Sequence, residues 1–143
     1  MRNPGTPTPD VVAAIEGQSA ERGERVERRE DMSDRHMDAK VLRRAGELVE
    51  QGWCRFYLAM TGTGICFEGP TSPKAVQWCA RGAIQRAAHE LDVADESDRV
   101  EDLAGENYGG AFGLAHWNND PERTADEVAA ALREAADRVE AAL

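Results

Sequence analysis

The hydrophobic period of the chain changes within residues 37–68, which read MDAKVLRRAGELVEQGWCRFYLAMTGTGICFE. In the first half, apolar residues recur with the spacing of an amphipathic helix. They are Met37, Val41, Leu42, Ala45, Leu48 and Val49. Gly52 follows the last turn and supplies a stop, because glycine adopts the left-handed conformation without a steric penalty. The sequence therefore predicts a helix from about residue 37 to residue 52.

The second half of this stretch alternates instead. Phe56, Leu58 and Met60 alternate with Arg55, Tyr57 and Ala59. Residues 61–64, which read TGTG, interrupt the pattern before residues 65–67 resume it. Alternation on both sides of a glycine-containing break predicts a short β-hairpin within residues 54–68. A lone hairpin is marginally stable in water, so we expect it to pack on helices.

Two more helices are predicted downstream. Ser72 as the cap and Pro73 in the first turn predict a helix that runs to about Leu91. Its inner face would consist of Val76, Cys79, Ala80, Ala83, Ile84, Ala87 and Leu91. Thr124 and Glu127 match a capping box at the start of the last helix. Between these helices we expect a solvated acidic stretch over residues 92–102, with at most one short helix, and a glycine-containing loop over residues 105–119.

These elements predict a mainly α protein (α+β class), with three amphipathic helices packed with one short β-hairpin in a single small domain over residues 36–143. Residues 1–35 are predicted to form a mobile, charged arm. Nine of the eleven residues 21–31 are charged, too many to bury the apolar area that a core requires. Opposite charges four residues apart, such as Glu21 and Arg25, are compatible with a partly helical arm. An arm that mediates self-association is the alternative, although it lacks an apolar heptad seam.

The charge balance excludes some classes of function. Seventeen Lys and Arg against 27 Asp and Glu give a net charge of −10. Binding of nucleic acid through phosphates requires clustered basic residues, which an acidic surface does not provide. No apolar run approaches the ~18–20 residues of a membrane span.

With no basic-then-apolar leader and an odd number of cysteines, the sequence predicts a cytoplasmic protein with reduced thiols. Fifteen Arg against two Lys indicate a GC-rich genome, such as that of an actinobacterium.

A cysteine nucleophile is one candidate chemistry. Cys79 or Cys54 with His116 could form the catalytic set of a small hydrolase or another small-molecule enzyme. Against this, the predicted helix places Cys79 about two turns inside it among apolar residues. Cys54 follows a helix end, where the dipole disfavours a thiolate. The sequence therefore favours a protein without catalysis, with this enzyme as the alternative.

Metal and cofactor sites are not predicted. Cys54, Cys66, Cys79 and His89 lack the closely spaced pairs of structural zinc sites. The acidic stretch lacks the spacing and the central glycine of a calcium-binding EF-hand loop. The glycines at 105, 109, 110 and 113 are not followed by the lysine that a phosphate-binding loop requires.

The three tryptophans suggest where a binding site could lie. Trp53, Trp78 and Trp117 each lie near a predicted element boundary beside polar residues. They could form a shared aromatic core in which each indole N–H meets a carbonyl. Alternatively, they could line a small pocket, and the candidate binding residues are then Trp53, Trp78, Arg81, Trp117, Asn118, Asn119 and Arg123. Arg123 could instead pair with Asp126 or Glu127, and the sequence leaves these alternatives open.

Three motifs carry a resemblance to a known group of proteins. They are Gly52-Trp53-Cys54, Trp78-Cys79-Ala80-Arg81-Gly82-Ala83, and Trp117-Asn118 followed by Arg123-Thr124. Over residues 38–143 the chain resembles a domain-of-unknown-function family of small, uncharacterised bacterial and actinophage proteins. The family pattern has Asp where this chain has Asn119, which argues against an acid–base role there. The resemblance implies a phage or mobile-element setting and no activity.

Taken with the missing catalytic set, these observations predict a small intracellular binding or interaction domain. Its partner would be a protein or a small ligand, and a basic partner would suit the net charge of −10.

Overall fold

The computed structural model describes residues 34–142. Most of the predicted arm over residues 1–35, and with it the self-association alternative, lies outside the described residues. Helix α1 covers residues 34–51. Its predicted apolar stripe is buried at Val41, Leu42, Ala45, Leu48 and Val49. None of the described helices is long and apolar enough to cross a membrane.

Gly52 ends α1 for a reason other than the predicted one. It is not among the glycines with a positive φ. A Cβ atom at this position would lie 2.1 Å from the carbonyl oxygen of Val76. Glycine is therefore required here because another segment of backbone passes directly against it.

The predicted hairpin is present and belongs to a small antiparallel sheet. Strand β1 is Ala59–Thr61, β2 is Gly64–Ile65 and β3 is Gln77–Trp78. The strand order is β2-β1-β3, so β1 pairs with both neighbours. Met60 is opposite Ile65 in β2 and opposite Gln77 in β3.

Strand β3 takes residues that the sequence assigned to a helix. Helix α2 is Ala80–Glu90, so the prediction of a helix from Ser72 and Pro73 was wrong at its start. The N–H of Val76 donates to Met60 O at 2.9 Å, which ties this segment to the sheet. Val76 is 48% exposed and does not belong to the inner face. Pairing with distant backbone has overridden a local helix signal.

The predicted loop over residues 105–119 was also wrong. It contains a 3₁₀ turn at Glu106–Tyr108 and helix α4, Ala111–Asn118. Gly109 and Gly110 both have φ near +94° and separate these two elements. Helix α3, Ser97–Ala104, occupies the end of the acidic stretch. The described residues thus hold five α-helices rather than three, and the mainly α class with a small sheet is confirmed.

Helix α5, Ala125–Ala141, begins as predicted. Thr124 and Glu127 form a reciprocal capping box. The helix buries Val128, Leu132 and Ala135, which join one hydrophobic core with residues of the other helices. The largest completely or almost completely buried apolar side chains of that core are Val41, Leu42, Leu48, Val49, Ile84, Val100, Leu114, Val128 and Leu132. This core fixes the relative positions of the ends of α1, α2 and α4, where the candidate residues lie.

Candidate functional site

Asn118, the last residue of α4, joins three segments of the chain. Its Oδ1 accepts hydrogen bonds from Trp53 Nε1 at 2.8 Å and from the N–H of Ala80 at 3.0 Å. Its Nδ2 donates to Cys54 O and to Asn119 Oδ1, both at 3.2 Å. Asn118 is completely buried, and these four bonds use the full capacity of its amide. We call Asn118 with Trp53, Cys54 and Ala80 the Asn118 hub.

The neighbouring asparagine holds an exposed phenylalanine. Asn119 Oδ1 accepts the N–H of Phe56 at 2.7 Å. Phe56 has a φ of +72°, a conformation that costs a side-chain-bearing residue roughly 1–2 kcal/mol. Its ring is nevertheless 70% exposed to solvent. The chain thus holds an apolar ring in water at the expense of backbone strain.

Arg55, the residue before Phe56, also holds this segment in place. The Arg55 guanidinium donates to the carbonyl oxygens of Asp120 and Pro121 at 3.1 and 3.2 Å, and also to that of Arg123. It lies 4.4 Å from the ring centroid of Trp53. Arg55 therefore joins the Phe56 segment to the turn between α4 and α5.

A second exposed ring lies on α4. Phe112 is 83% exposed, and His116 follows it by four residues, so both side chains lie on one face of the helix. Phe56, His116, Asn119, Asp120 and Pro121 line a cleft of about 280 Å³. We call Phe56, Phe112, His116, Asp120 and Pro121 the Phe56–Phe112 surface.

Close to Phe112 lies a partly buried ion pair. The guanidinium of Arg81 lies 5.4 Å from the Phe112 ring centroid, and its Nε donates to Glu101 Oε1 at 2.6 Å. Glu101 is completely buried and is thus an exception within residues 92–102, which the sequence predicts to be solvated. Its Oε2 has no hydrogen-bond partner. Burial outweighs the attraction of Arg81 and raises the pKa of the Glu101 carboxyl.

One of the cysteines, Cys79, is placed differently from the prediction. Cys79 is the N-cap of α2 rather than a residue inside a helix, and its sulfur accepts the N–H of Gly82 at 3.4 Å. Burial raises the pKa of the Cys79 thiol in spite of that helix N-terminus. Burial also raises the pKa of Cys54 to about 12. In the part of the chain that the structure describes, no hydrogen bond joins either thiol to His116, and all three cysteines are free and buried.

The seven candidate binding residues fall into separate groups. Trp53 and Asn118 belong to the Asn118 hub and Asn119 is hydrogen-bonded to it, whereas Arg81 lies with Glu101. The Trp78 indole N–H donates to Pro70 O at 3.0 Å. This contact lies apart from the hub's side-chain contacts, so the structure does not gather the seven residues around one pocket.

Trp117 and Arg123 form another pair. The guanidinium of Arg123 lies 4.0 Å from the Trp117 ring centroid, and Tyr108 stacks on that ring at 4.7 Å. Of the two acidic partners that the sequence left open for Arg123, the structure selects Glu127, at 3.0 Å. The indole N–H groups of Trp53 and Trp78 each donate a hydrogen bond to a carbonyl oxygen, as expected if these tryptophans have a structural role.

Sequence reasoning did not select Phe56 or Phe112. Phe56 was predicted to lie in an alternating strand, and nothing about a phenylalanine in the sequence indicates a positive φ. Phe112 lies in the segment predicted as a loop, so no helical face could be drawn that pairs it with His116. Within residues 34–142, no group of three or more His, Cys, Asp or Glu side chains is arranged to hold a metal ion.

Comparison with known proteins yields one match. No curated protein and no solved structure matches the chain. A family model described as a family of unknown function, DUF6197, matches residues 34–138, which is most of the chain and covers α1–α4, the sheet and most of α5. The chain therefore belongs to the DUF6197 family.

Proposed function

We propose that this protein is an intracellular binding domain without catalysis, and that the Phe56–Phe112 surface is where it binds. The observation that carries the proposal is Phe56, an exposed aromatic ring on a strained backbone. Strain of this kind persists where the surrounding structure enforces it, and it concentrates at functional sites. Asn119 and Arg55 supply the bonds that enforce it here.

The chemistry of this surface favours a basic protein segment that carries an apolar anchor residue. Two exposed rings beside a cleft offer the apolar contact that dominates binding energy in small interfaces. Asp120 and Glu122 are exposed at the same end of α4, and the whole chain carries a net charge of −10. Such a charge attracts a basic partner and speeds its association.

A peptide library displayed on phage and selected on the full-length protein tests this proposal. We expect the selected peptides to combine Lys or Arg with an aromatic or aliphatic residue. Phe56→Gly and Phe112→Ala should each weaken binding at least tenfold. Phe67→Ala is the matched control, since Phe67 is 91% exposed but does not line the cleft. Peptides that bind all three variants as well as wild type, or a selection without enrichment, would overturn the proposal.

A cysteine-dependent hydrolase that uses Cys79 or Cys54 with His116 is the second candidate. The position of Cys79 at the N-terminus of α2 favours it, because such positions stabilise thiolates. The burial and the raised pKa values of both thiols oppose it. Labelling of the native protein with iodoacetamide at neutral pH distinguishes the two functions. We expect slow labelling of all three cysteines, whereas fast labelling of Cys54 or Cys79 alone would favour the hydrolase.

A further inference from the structure

The backbone brings Cys54 and Cys79 to the same place. Trp53 and Trp78 form an isolated parallel β-bridge, in which Trp78 N donates to Gly52 O at 3.0 Å and Cys54 N donates to Trp78 O at 3.3 Å. The next residue on each segment is a cysteine. The bridge places Cys54 and Cys79 next to each other, just before the Asn118 amide separates Cys54 O from the N–H of Ala80.

This register suits a disulfide. Neighbouring strands are separated by roughly 4.8 Å. The Cα atoms of disulfide-bonded cysteines are usually separated by about 4.4–6.8 Å. The N–H of Cys54 donates to the carbonyl oxygen of Trp78, the residue that precedes Cys79, so the backbones of the two cysteines lie side by side. Neither thiol has a part in the Phe56–Phe112 surface.

The two sulfurs have complementary surroundings. The Cys54 thiol donates to Tyr57 O at 3.3 Å. The Cys79 sulfur accepts the N–H of Gly82 in the first turn of α2, where partial positive charge stabilises developing negative charge on sulfur. Cys66 is placed differently, with its thiol donating to Gly69 O beyond β2. The structure thus distinguishes one pair of cysteines from the third.

We propose that Cys54 and Cys79 form an oxidation site at which hydrogen peroxide converts the two thiols into a disulfide. One sulfur, as its thiolate, attacks peroxide; the O–O bond breaks and leaves a sulfenic acid and, after protonation, one water. The other sulfur attacks the sulfenic sulfur; the S–S bond forms, the S–O bond breaks and a second water leaves. The thiols lose two electrons and two protons, and peroxide is reduced to two waters.

The disulfide would tie the segment that follows α1 to the cap of α2. It closes a loop of about 25 residues, which restricts the unfolded chain and raises the melting temperature. It also removes the S–H that donates to Tyr57 O. Because only the thiolate reacts and burial raises the pKa of both thiols, oxidation of the folded protein should accelerate as pH rises.

Peptide mapping of the oxidised full-length protein tests the proposal. The reduced protein is treated with excess hydrogen peroxide, and the remaining thiols are then alkylated in denaturant. We expect a mass loss of two hydrogen atoms, a linked peptide pair that contains Cys54 and Cys79, and alkylation of Cys66 alone. The melting temperature should rise and return to its initial value after addition of a reductant.

Two controls make the result specific. Cys66→Ser should form the same disulfide, whereas Cys54→Ala should form none. Oxidation of the wild type in denaturant should give a mixture of the three possible pairings, so a single pairing in the native protein is attributable to the fold. Alkylation of both Cys54 and Cys79 after peroxide treatment of the folded wild type, or a linked peptide that contains Cys66, would overturn the proposal whether or not the variants fold.

Discussion

Asn118 and Asn119 are consecutive, yet they belong to regions of opposite character. The Asn118 hub is closed, because its amide is completely buried and uses every hydrogen-bonding position. The Phe56–Phe112 surface, whose Phe56 is held by Asn119, is open, with two aromatic rings in solvent and a residue at positive φ. Complete satisfaction of polar groups indicates a structural role, whereas apolar area retained in water at the cost of strain indicates a binding role.

Replacement of Asn118 by Ala should have the largest effect on stability. It removes the acceptor of the Trp53 indole and of the Ala80 N–H, and the donor to Cys54 O. Each buried polar group left unpaired costs about 1–3 kcal/mol, so we expect a loss of about 4 kcal/mol in the free energy of unfolding. Urea denaturation measures it. Asn119→Ala is the matched control and should cost about 1 kcal/mol; an equal cost for both variants would contradict the distinction between the two regions.

Gly82→Ala tests how tightly the closed region is packed. A Cβ atom at Gly82 would lie 1.7 Å from the carbonyl oxygen of Leu58, in the segment that carries Phe56. The backbone must move apart, and we expect a loss of about 3 kcal/mol. Gly62→Ala, at a turn with open space around it, is the control and should leave the melting temperature nearly unchanged. A well-tolerated Gly82→Ala would show that α2 and this segment are not held together rigidly.

The Phe56→Gly variant tests separately the backbone strain at Phe56 and the contribution of its ring to binding. Glycine adopts a φ of +72° without the steric penalty, so the variant should be more stable than wild type by about 1 kcal/mol. Thermal denaturation checks this, in parallel with the loss of peptide binding expected above. Asp92→Gly, at a φ of +61°, is the control that should gain less stability and bind normally. If Phe56→Gly is less stable than wild type, the ring contributes to packing, and the argument for a binding surface no longer holds.

Glu101→Gln should have the smallest effect, visible chiefly as a pH dependence. The folded-state pKa of Glu101 lies above the ordinary value of 4.5, so the native state binds more protons than the unfolded state between the two values. Wild-type stability therefore falls, relative to Glu101→Gln, as pH rises through that window from about 4.5 upward.

The measurement is urea denaturation of both proteins across that range of pH. Comparison with the variant cancels the opposite contribution of groups such as Glu90, whose pKa Arg44 lowers. A stability difference between the two proteins that stays constant with pH would show that Glu101 titrates alike in the folded and unfolded states, and that Arg81 compensates for its burial.

Local signals in the sequence were reliable where one segment supplied both partners of an interaction. The stripe of α1 and the capping box of Thr124 and Glu127 each involve residues within one or two helical turns. The hairpin likewise depends on two short segments joined by a glycine-containing turn. These elements and the mainly α class were therefore predicted correctly.

Local sequence signals gave a wrong prediction where a distant segment of the chain competed for the same backbone. Ser72 and Pro73 are typical of a helix start, but pairing of Val76 with Met60 and of Trp78 with Gly52 holds the chain extended until Cys79. Cys79 was consequently assigned to a helix interior instead of an N-cap. The opposite error occurred over residues 105–119, where a loop was predicted and a helix is present. Gly109 and Gly110 end one element there and allow α4 to begin directly after them.

The sequence by itself determined the class of the protein, its acidic charge and most of its buried apolar stripe, since periodicity and composition depend only on the order of residues. Tertiary structure alone decided that Glu101 is buried, that Asn118 is completely buried beside a half-buried Asn119, and that the segments ending in Cys54 and Cys79 pair. Each of these results requires contact between residues far apart in the chain. Such contacts are selected by the packing of the whole core and leave no local pattern.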